Sequence, residues 1–82
     1  MIRAEVIVTL KDGILDPQGK TITGALGGIG IEGIKEIGTG KYFHLRFNTN
    51  NLEKARSSTE AVCEKLLSNP VIEKYTYKII EE

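Results

Sequence analysis

The strongest constraint on this chain sits at its start, where Ile2, Ala4, Val6, Val8 and Leu10 alternate strictly with Arg3, Glu5, Ile7 and Thr9. Successive side chains of a strand point to opposite faces, so this segment is a strand with one buried face and a second face that is partly apolar. Such a strand needs neighbours in a sheet and a layer of structure over its apolar side. The chain has 82 residues, room for one such core, and 1–82 reads as a single domain. A domain of this size hides only about 60–65% of its unfolded surface, so self-association is a natural way to cover more.

The rest of the pattern gives the layer. Lys11-Asp12-Gly13 ends the first strand with turn residues. Asp16-Pro17 then opens a helix, with an acidic cap followed by a proline whose missing donor costs nothing there. That helix is expected to turn Ile22, Ala25, Leu26 and Ile29 toward the core. Gly19, Gly24, Gly27 and Gly28 fall in the same stretch, each costing roughly 1 kcal/mol against alanine inside a helix, so it should be short or press its backbone closely on a neighbour.

Strands are expected over Ile31 to Ile37 and Tyr42 to Phe47, joined by a Gly38-Thr39-Gly40 turn. Phe43, Leu45 and Phe47 would share one face of the latter, and Tyr42, His44 and Arg46 the other. A second helix follows, with Asn50 and Glu53 as its capping box. Its apolar stripe is Leu52, Ala55, Thr59, Val62, Cys63, Leu66 and Leu67. Asn69-Pro70 stops it, and a last strand runs from about Val71 to Ile80. The order β-α-β-β-α-β predicts an α+β fold: a mainly antiparallel four-stranded sheet with both helices on one face.

Charge narrows the partners. Eleven basic and eleven acidic residues cancel, which argues against nucleic acid or an anionic membrane as the partner and leaves little repulsion between protein surfaces. A lone cysteine, Cys63, has no internal partner for a disulfide. No run reaches the ~20 apolar residues of a membrane span, and Met1-Ile2-Arg3-Ala4-Glu5 lacks the layout of a signal peptide. The cytoplasm is the expected compartment.

Three short motifs invite a catalytic or ligand-binding reading, and each fails on its physics. Gly13 to Thr21 approaches a phosphate-binding loop, but five residues rather than four precede Gly19-Lys20, and Pro17 removes a backbone donor from the cradle. Gly28-Ile29-Gly30-Ile31-Glu32-Gly33 matches a dinucleotide fingerprint, yet it leaves a helix and enters a strand, the reverse of what pyrophosphate binding requires. Gly30 reads instead as a helix C-cap. Gly40 to Phe47 brushes an RNA-recognition strand, with Phe43 in its small-residue position and no surplus positive charge behind it. Cys63 belongs to the helix stripe and His44, the sole imidazole, to the outer sheet face, so the two cannot form a nucleophilic pair. One histidine and one cysteine do not fill a metal's first shell. Arg56 and Glu60 are spaced for an i,i+4 pair.

Three stretches together resemble a known family. Lys11-Asp12-Gly13-Ile14-Leu15-Asp16-Pro17-Gln18-Gly19-Lys20 is similar to the K-x-G-[IV]-L-D-P-Q-G segment of PurS-type subunits. Ala25-Leu26, Ile29-Gly30-Ile31 and Gly40-Lys41 form a weaker middle. Cys63-Glu64-Lys65-Leu66-Leu67-Ser68-Asn69-Pro70-Val71-Ile72-Glu73-Lys74-Tyr75 looks like that family's C-E-K-L-L-A-N-P-V-I-E-x-Y. Ser68 for alanine, Gly38 for a basic residue and Gly27-Gly28 are departures.

The resemblance implies a non-catalytic small subunit of phosphoribosylformylglycinamidine synthase, which converts formylglycinamide ribonucleotide, ATP and glutamine to formylglycinamidine ribonucleotide in purine biosynthesis. It implies a homodimer or tetramer that bridges a synthetase (PurL) and a glutaminase (PurQ) and supports ammonia transfer. ATP and Mg would be used by the complex, with no cofactor, catalytic residue or metal ligand on this chain. Such a role is one of positioning two sites and sealing them from water. The expected contact residues are Asp16, Pro17, Gln18, Gly19 and Lys20, then Asn69 and Pro70, and Lys41, Tyr42, His44 and Arg46 on the hairpin. Asp16-Pro17 could equally be only a cap, and Asn69-Pro70 only a stop. An ACT-type regulatory module shares the element order, but would need a carboxylate nest where Asp16-Pro17 stands. An acylphosphatase would need an arginine between Lys11 and Lys20, and there is none.

Overall fold

A computed structural model describes residues 1–82. The strands are β1 (Ile2–Leu10), β2 (Gly40–Arg46) and β3 (Glu73–Glu81); the helices are α1 (Pro17–Gly24) and α2 (Leu52–Val62). The sheet is antiparallel throughout, with β1 central in the order β2-β1-β3. Val6 stands between Phe43 and Tyr77, and Ile7 between Tyr42 and Thr76, so the alternation read in β1 carries across all the strands.

The even-numbered face of β1 holds the core. Ile2, Ala4 and Val6 are fully buried and Val8 nearly so, and burying a side chain such as Ile or Val contributes about 1.5–3 kcal/mol. From α2 and the turn after it, Ala55, Thr59 and Cys63 close this face; they recur every four residues and form one stripe. The Thr59 hydroxyl would be costly to bury bare, and it donates to the Ala55 carbonyl at 2.8 Å. Phe43, Leu45, Leu67, Tyr75 and Tyr77 pack around the Val6–Val8–Cys63 centre while staying half-buried.

The architecture departs from the sequence expectation in two main ways. No strand forms over 31–37, and the sheet has three strands rather than four. The outer edge of β2, where a 31–37 strand would pair across the 38–40 turn, stays unpaired. Gly33 has left-handed backbone (φ 91°), which breaks an extended path, and the Ile37 and Thr39 amides bond to side chains rather than to a ladder.

Nor do the two helices share a face. Only α2 covers the core; α1 borders the opposite side, where Lys20, Thr23 and Gly24 line a groove with Ile7 and Thr9. With Ile22 as the only large apolar residue of Pro17–Gly24, α1 has no stripe with which to hold a seat on the core. Ile22, Ala25 and Ile29, expected inside, are exposed. The helix ends at Gly24 and gives way to a 3₁₀ turn, Gly27–Ile29, closed by Gly30 at φ 75°. Gly30 is thus the expected C-cap.

Smaller corrections have local causes. Asn51, not Asn50, caps α2 by accepting from the Lys54 N–H at 3.1 Å. Arg56 pairs with Glu53 at 3.9 Å rather than with Glu60. Beyond Val62 the helix widens to a π-turn, Cys63–Leu67, in which the Ser68 N–H reaches the Cys63 carbonyl at 3.1 Å. The extra residue per turn rotates Leu66 off the stripe, where it is 78% exposed. β3 begins at Glu73, because Val71 and Ile72 complete a turn in which the Ile72 N–H bonds to the Asn69 carbonyl.

Residues 14–39 form an arm that stands away from this body. The Cα radius of gyration is 16.4 Å over extents of 49 × 29 × 15 Å, against about 12 Å for a compact domain of this length.

Candidate functional site

Asp16 is the pivot of the arm. It holds the N-cap of α1 in extended backbone (φ −109°, ψ 94°), as a residue before proline and at a cap should. Its Oδ1 accepts from the Gly19 N–H at 2.9 Å, and its Oδ2 accepts from the Thr39 N–H at 2.7 Å and the Thr39 hydroxyl at 2.8 Å. These donors, Gly19 foremost and Thr39 next, hold the carboxyl below the usual carboxylate range, since each favours the ionised form. One turn along, the Thr23 hydroxyl donates to the Gly19 carbonyl at 2.7 Å and accepts from the Ile37 N–H at 2.9 Å. Gly19 is buried between them, and a Cβ there would collide with the Ile37 carbonyl oxygen. Only glycine lets the helix lie this close to the returning chain.

The first group of expected contact residues therefore divides. Asp16 and Gly19 turn inward as braces, while Pro17, Gln18 and Lys20 are exposed. The ACT-type alternative loses its nest here, because Asp16 fills the helix N-terminus with a carboxylate of its own.

The hairpin group also divides. Tyr42, His44 and Arg46 pair with Ile7, Glu5 and Arg3 and lie on the open face of the sheet. Lys41 pairs with Val8 and so points to the α2 side, where its Nζ lies 3.6 Å from Glu73 Oε2. Tyr42 is 59% exposed, and its phenol is raised by partial desolvation first and the Glu5 charge second. His44 and Cys63 sit on opposite sides of the sheet. Burial pushes the Cys63 thiol up, with Glu64 and Glu60 adding to it.

Asn69 and Pro70 are engaged within the chain. Asn69 Oδ1 accepts from the Val71 N–H at 3.1 Å, its own N–H donates to Glu73 Oε1 at 2.7 Å, and the Pro70 carbonyl accepts from Lys11 Nζ at 2.6 Å. The pair works as a turn that ties α2 to the end of β1, and both residues are exposed.

Between α1 and the open sheet face lies a groove of about 1110 Å³. Ile7, Leu10, Ile14, Leu15 and Ile37 give it an apolar lining, and Asp16, Lys20 and Lys74 add charge. Asp16 and Lys20 thus meet Ile7, the neighbour of Tyr42, across one concavity, while Asn69 and Pro70 lie outside it. No group of three or more His, Cys, Asp or Glu side chains is placed to hold a metal ion. No helix is long and apolar enough to cross a membrane.

Two features escaped the sequence reading. Thr23 and Thr39 brace the arm, and only the flanking of Thr39 by Gly38 and Gly40 hinted at a special backbone position. Tyr75 and Tyr77 on β3 face Glu64 and Glu60 on the α2 side. The Tyr77 hydroxyl donates to Glu60 Oε1 at 3.0 Å. Tyr75, beside the Glu64 carboxylate and partly desolvated, is pushed up to about 12. The matching signals were a Tyr-x-Tyr spacing in a strand and a Glu-x₃-Glu spacing in a helix.

What these parts define is a small α+β chain whose principal asset is exposed surface: a bare sheet face, a groove, and a braced arm rich in apolar side chains. Comparison with known proteins gives that class a family. Residues 3–81 match PurS, described as Phosphoribosylformylglycinamidine (FGAM) synthase, and the chain belongs to the PurS family. It is 42% identical over 79 residues to the PurS subunit of phosphoribosylformylglycinamidine synthase from Methanocaldococcus jannaschii, covering 96% of this chain and 95% of the relative. The crystal structure of M. jannaschii PurS is similar with a TM-score of 0.88 and 40% identity, over 100% of this chain and 99% of that one. A chain in the structure of PurLQS from Thermotoga maritima is similar with a TM-score of 0.68 and 27% identity, over 98% and 99%.

Proposed function

We propose that this chain is the small bridging subunit of a phosphoribosylformylglycinamidine synthase complex. It joins the synthetase and glutaminase subunits and helps ammonia pass between their sites, while ATP and Mg belong to the larger subunits. The observation that carries this reading is likeness along the whole chain both to PurS subunits and to a chain of the PurLQS structure. The physical character fits: ammonia transfer asks for two sites held together and closed to water, which surface accomplishes. Pro17, Gln18 and Lys20 on the arm, and Tyr42, His44 and Arg46 on the open sheet face, are its contact residues; Lys41, Asn69 and Pro70 flank them. The chain self-associates as a homodimer and works in the cytoplasm.

The test is co-expression with candidate synthetase and glutaminase subunits, followed by size-exclusion chromatography with ADP and glutamine present. The expected result is co-elution, with glutamine-dependent amidine formation only when this chain is included. Separate elution of the three proteins would overturn the reading.

A further inference from the structure

The C-terminal end of α2 does not close as a regular helix. Through Cys63–Leu67 the chain makes a π-turn, and it leaves the turn at Ser68, whose backbone is extended (φ −131°, ψ 159°). A π-turn inside an α-helix is rare and is found mostly at functional positions. Here its hold is visible. Ser68 delivers two donors to one acceptor: its N–H reaches the Cys63 carbonyl oxygen at 3.1 Å, and its hydroxyl reaches the same oxygen at 2.8 Å. A carbonyl oxygen has two lone pairs, so both are occupied. In an α-turn that oxygen would instead accept from the Leu67 N–H, four residues on. The two registers therefore compete for one carbonyl, and the serine hydroxyl adds a second bond to the π side.

Two leucines report which register is present. In an α-turn Leu66 and Leu67, three and four residues after Cys63, both fall on the stripe of Ala55, Thr59 and Cys63. In the π-turn only Leu67 packs on the Val6–Val8–Cys63 centre, and Leu66 is 78% exposed. Both ends of the turn are anchored. Cys63 is fully buried. Past Ser68, the Asn69 carbonyl accepts from the Ile72 and Glu73 amides at 3.1 and 2.7 Å, and the Pro70 carbonyl accepts from Lys11 Nζ at 2.6 Å. Ser68 lies between these anchors, and its extended backbone is the joint that can absorb a change of register.

We infer that the last turn of α2 is a two-register device. The Ser68 hydroxyl holds it as a π-turn that shows Leu66 to solvent; without that bond the turn tightens to an α-turn that folds Leu66 back beside Leu67. The force toward tightening is the apolar surface of Leu66, which the π register leaves in water. The force against it is the hydroxyl bond to Cys63, made in a partly buried position where less water competes for the donor. Each is the work of one side chain, so each can offset the other. Neither Leu66 nor Ser68 lines the groove on the other side of the sheet, and the device acts separately from the arm.

The experiment is NMR on the isotope-labelled full chain and on Ser68→Ala and Ser68→Thr, with circular dichroism confirming each fold. It reads the scalar couplings across hydrogen bonds to the Cys63 carbonyl and the contacts of the Leu66 methyl groups. The wild type is expected to couple through the Ser68 amide, with its Leu66 methyls free of the core. In Ser68→Ala the coupling should move to the Leu67 amide, and the Leu66 methyls should gain contacts to core side chains. Ser68→Thr, which keeps a hydroxyl, should keep the wild-type pattern. Adding Leu66→Asp to Ser68→Ala should return the coupling to position 68, because a carboxylate gains nothing from burial there. A Ser68→Ala chain that stays coupled through position 68, or a Ser68→Thr chain that shifts with it, would show that the hydroxyl does not set the register. A double variant still coupled through Leu67 would remove the driving force assigned to Leu66. A wild type already coupled through Leu67 has no π-turn to hold, and the inference falls.

Discussion

The body and the arm of this chain solve the problem of ordering a backbone with opposite materials. In the body, β1 donates one unbroken apolar face and α2 covers it with Ala55, Thr59 and Cys63, all at 0% exposure. In the arm, Ile14, Leu15, Ile22, Ile29, Ile31 and Ile34 are all exposed, and the polar groups of Asp16, Thr23 and Thr39 hold the path. A net intramolecular hydrogen bond contributes about 1 kcal/mol, while fixing each residue's backbone costs roughly 1–2 kcal/mol. A few clamp bonds therefore set the arm's shape but leave it the first part to open. Apolar side chains that would stabilise an isolated domain stay on the surface instead. A subunit that works through surface has this division built into its sequence.

The comparison breaks most plainly in the body. Ile2→Ala removes a fully buried side chain and is expected to cost about 2–5 kcal/mol, lowering the melting temperature of the whole chain. Ile29→Ala, on the arm, is expected to stay within roughly 0.5 kcal/mol in the monomer. Paired thermal melts at a concentration that keeps both variants monomeric check this. Equal losses would mean that arm and body share one core.

The brace is tested next, by two glycines of the same helix. Gly19→Ala places a methyl group against the Ile37 carbonyl and is expected to cost about 1–3 kcal/mol, as overpacking does. Gly24→Ala meets nothing within 4 Å and should gain up to about 1 kcal/mol of helix propensity. Hydrogen exchange separates arm from body: in Gly19→Ala the Ile37 and Thr39 amides lose protection while those of β1 keep it.

This division also explains what could be read in advance. The body was legible because its rules are periodic: alternation in β1, a four-residue recurrence through Ala55, Thr59 and Cys63, and the stop at Asn69-Pro70. Even there, the π-turn that expels Leu66 left no mark in composition. The arm was misread because its rules are pairwise. Ile31 to Ile37 has the makeup of a strand, but left-handed Gly33 and the bond from the Ile37 amide to Thr23, 14 positions back, take it off an extended path. Asp16 was legible as a cap; its second duty, to Thr39, spans 23 positions and follows no period. The contact residues divided for the same reason, since which side of a brace a residue occupies depends on a partner far away in sequence.

Asp16 gives the arm a pH dependence of its own. Its carboxyl lies below the ordinary aspartate range in the folded chain. Its contribution is therefore complete above the unfolded value of about 3.9 and is lost as pH falls through the lower, folded value. Protection of the Thr39 amide should fall on acidification below about pH 4 while β1 amides hold. Asp16→Ala should lack that transition and should lower the protection of the Thr39 and Gly19 amides at neutral pH, because the cap's acceptor is gone. An unchanged acid profile in the variant would assign the transition to another carboxylate.

The smallest expected effect lies at the seam between β3 and α2, and it carries the opposite sign. Tyr75 is pushed up to about 12 by its Glu64 neighbour and by desolvation, and Tyr77 is raised by desolvation and Glu60. A raised phenol means that the folded chain keeps its proton after the unfolded chain has begun to lose it near the ordinary value of about 10. Stability is therefore full below that point and declines as pH rises from there toward 12. Tyr75→Phe removes the titrating hydroxyl and should cost under about 1 kcal/mol at neutral pH, because the group is only partly buried and water shares its hydrogen bonding. Above pH 10 the variant's denaturation midpoint should fall less steeply than the wild type's. Because this seam belongs wholly to the body, the Ile37 and Thr39 amides of the arm should be blind to the substitution. A Tyr75→Phe chain with the wild-type alkaline slope would place the loss elsewhere, in Tyr77 or in the exposed phenol of Tyr42. Loosening of the arm would show that the body's polar seam reaches across the sheet to the brace, and the two regions would then have to be treated as one.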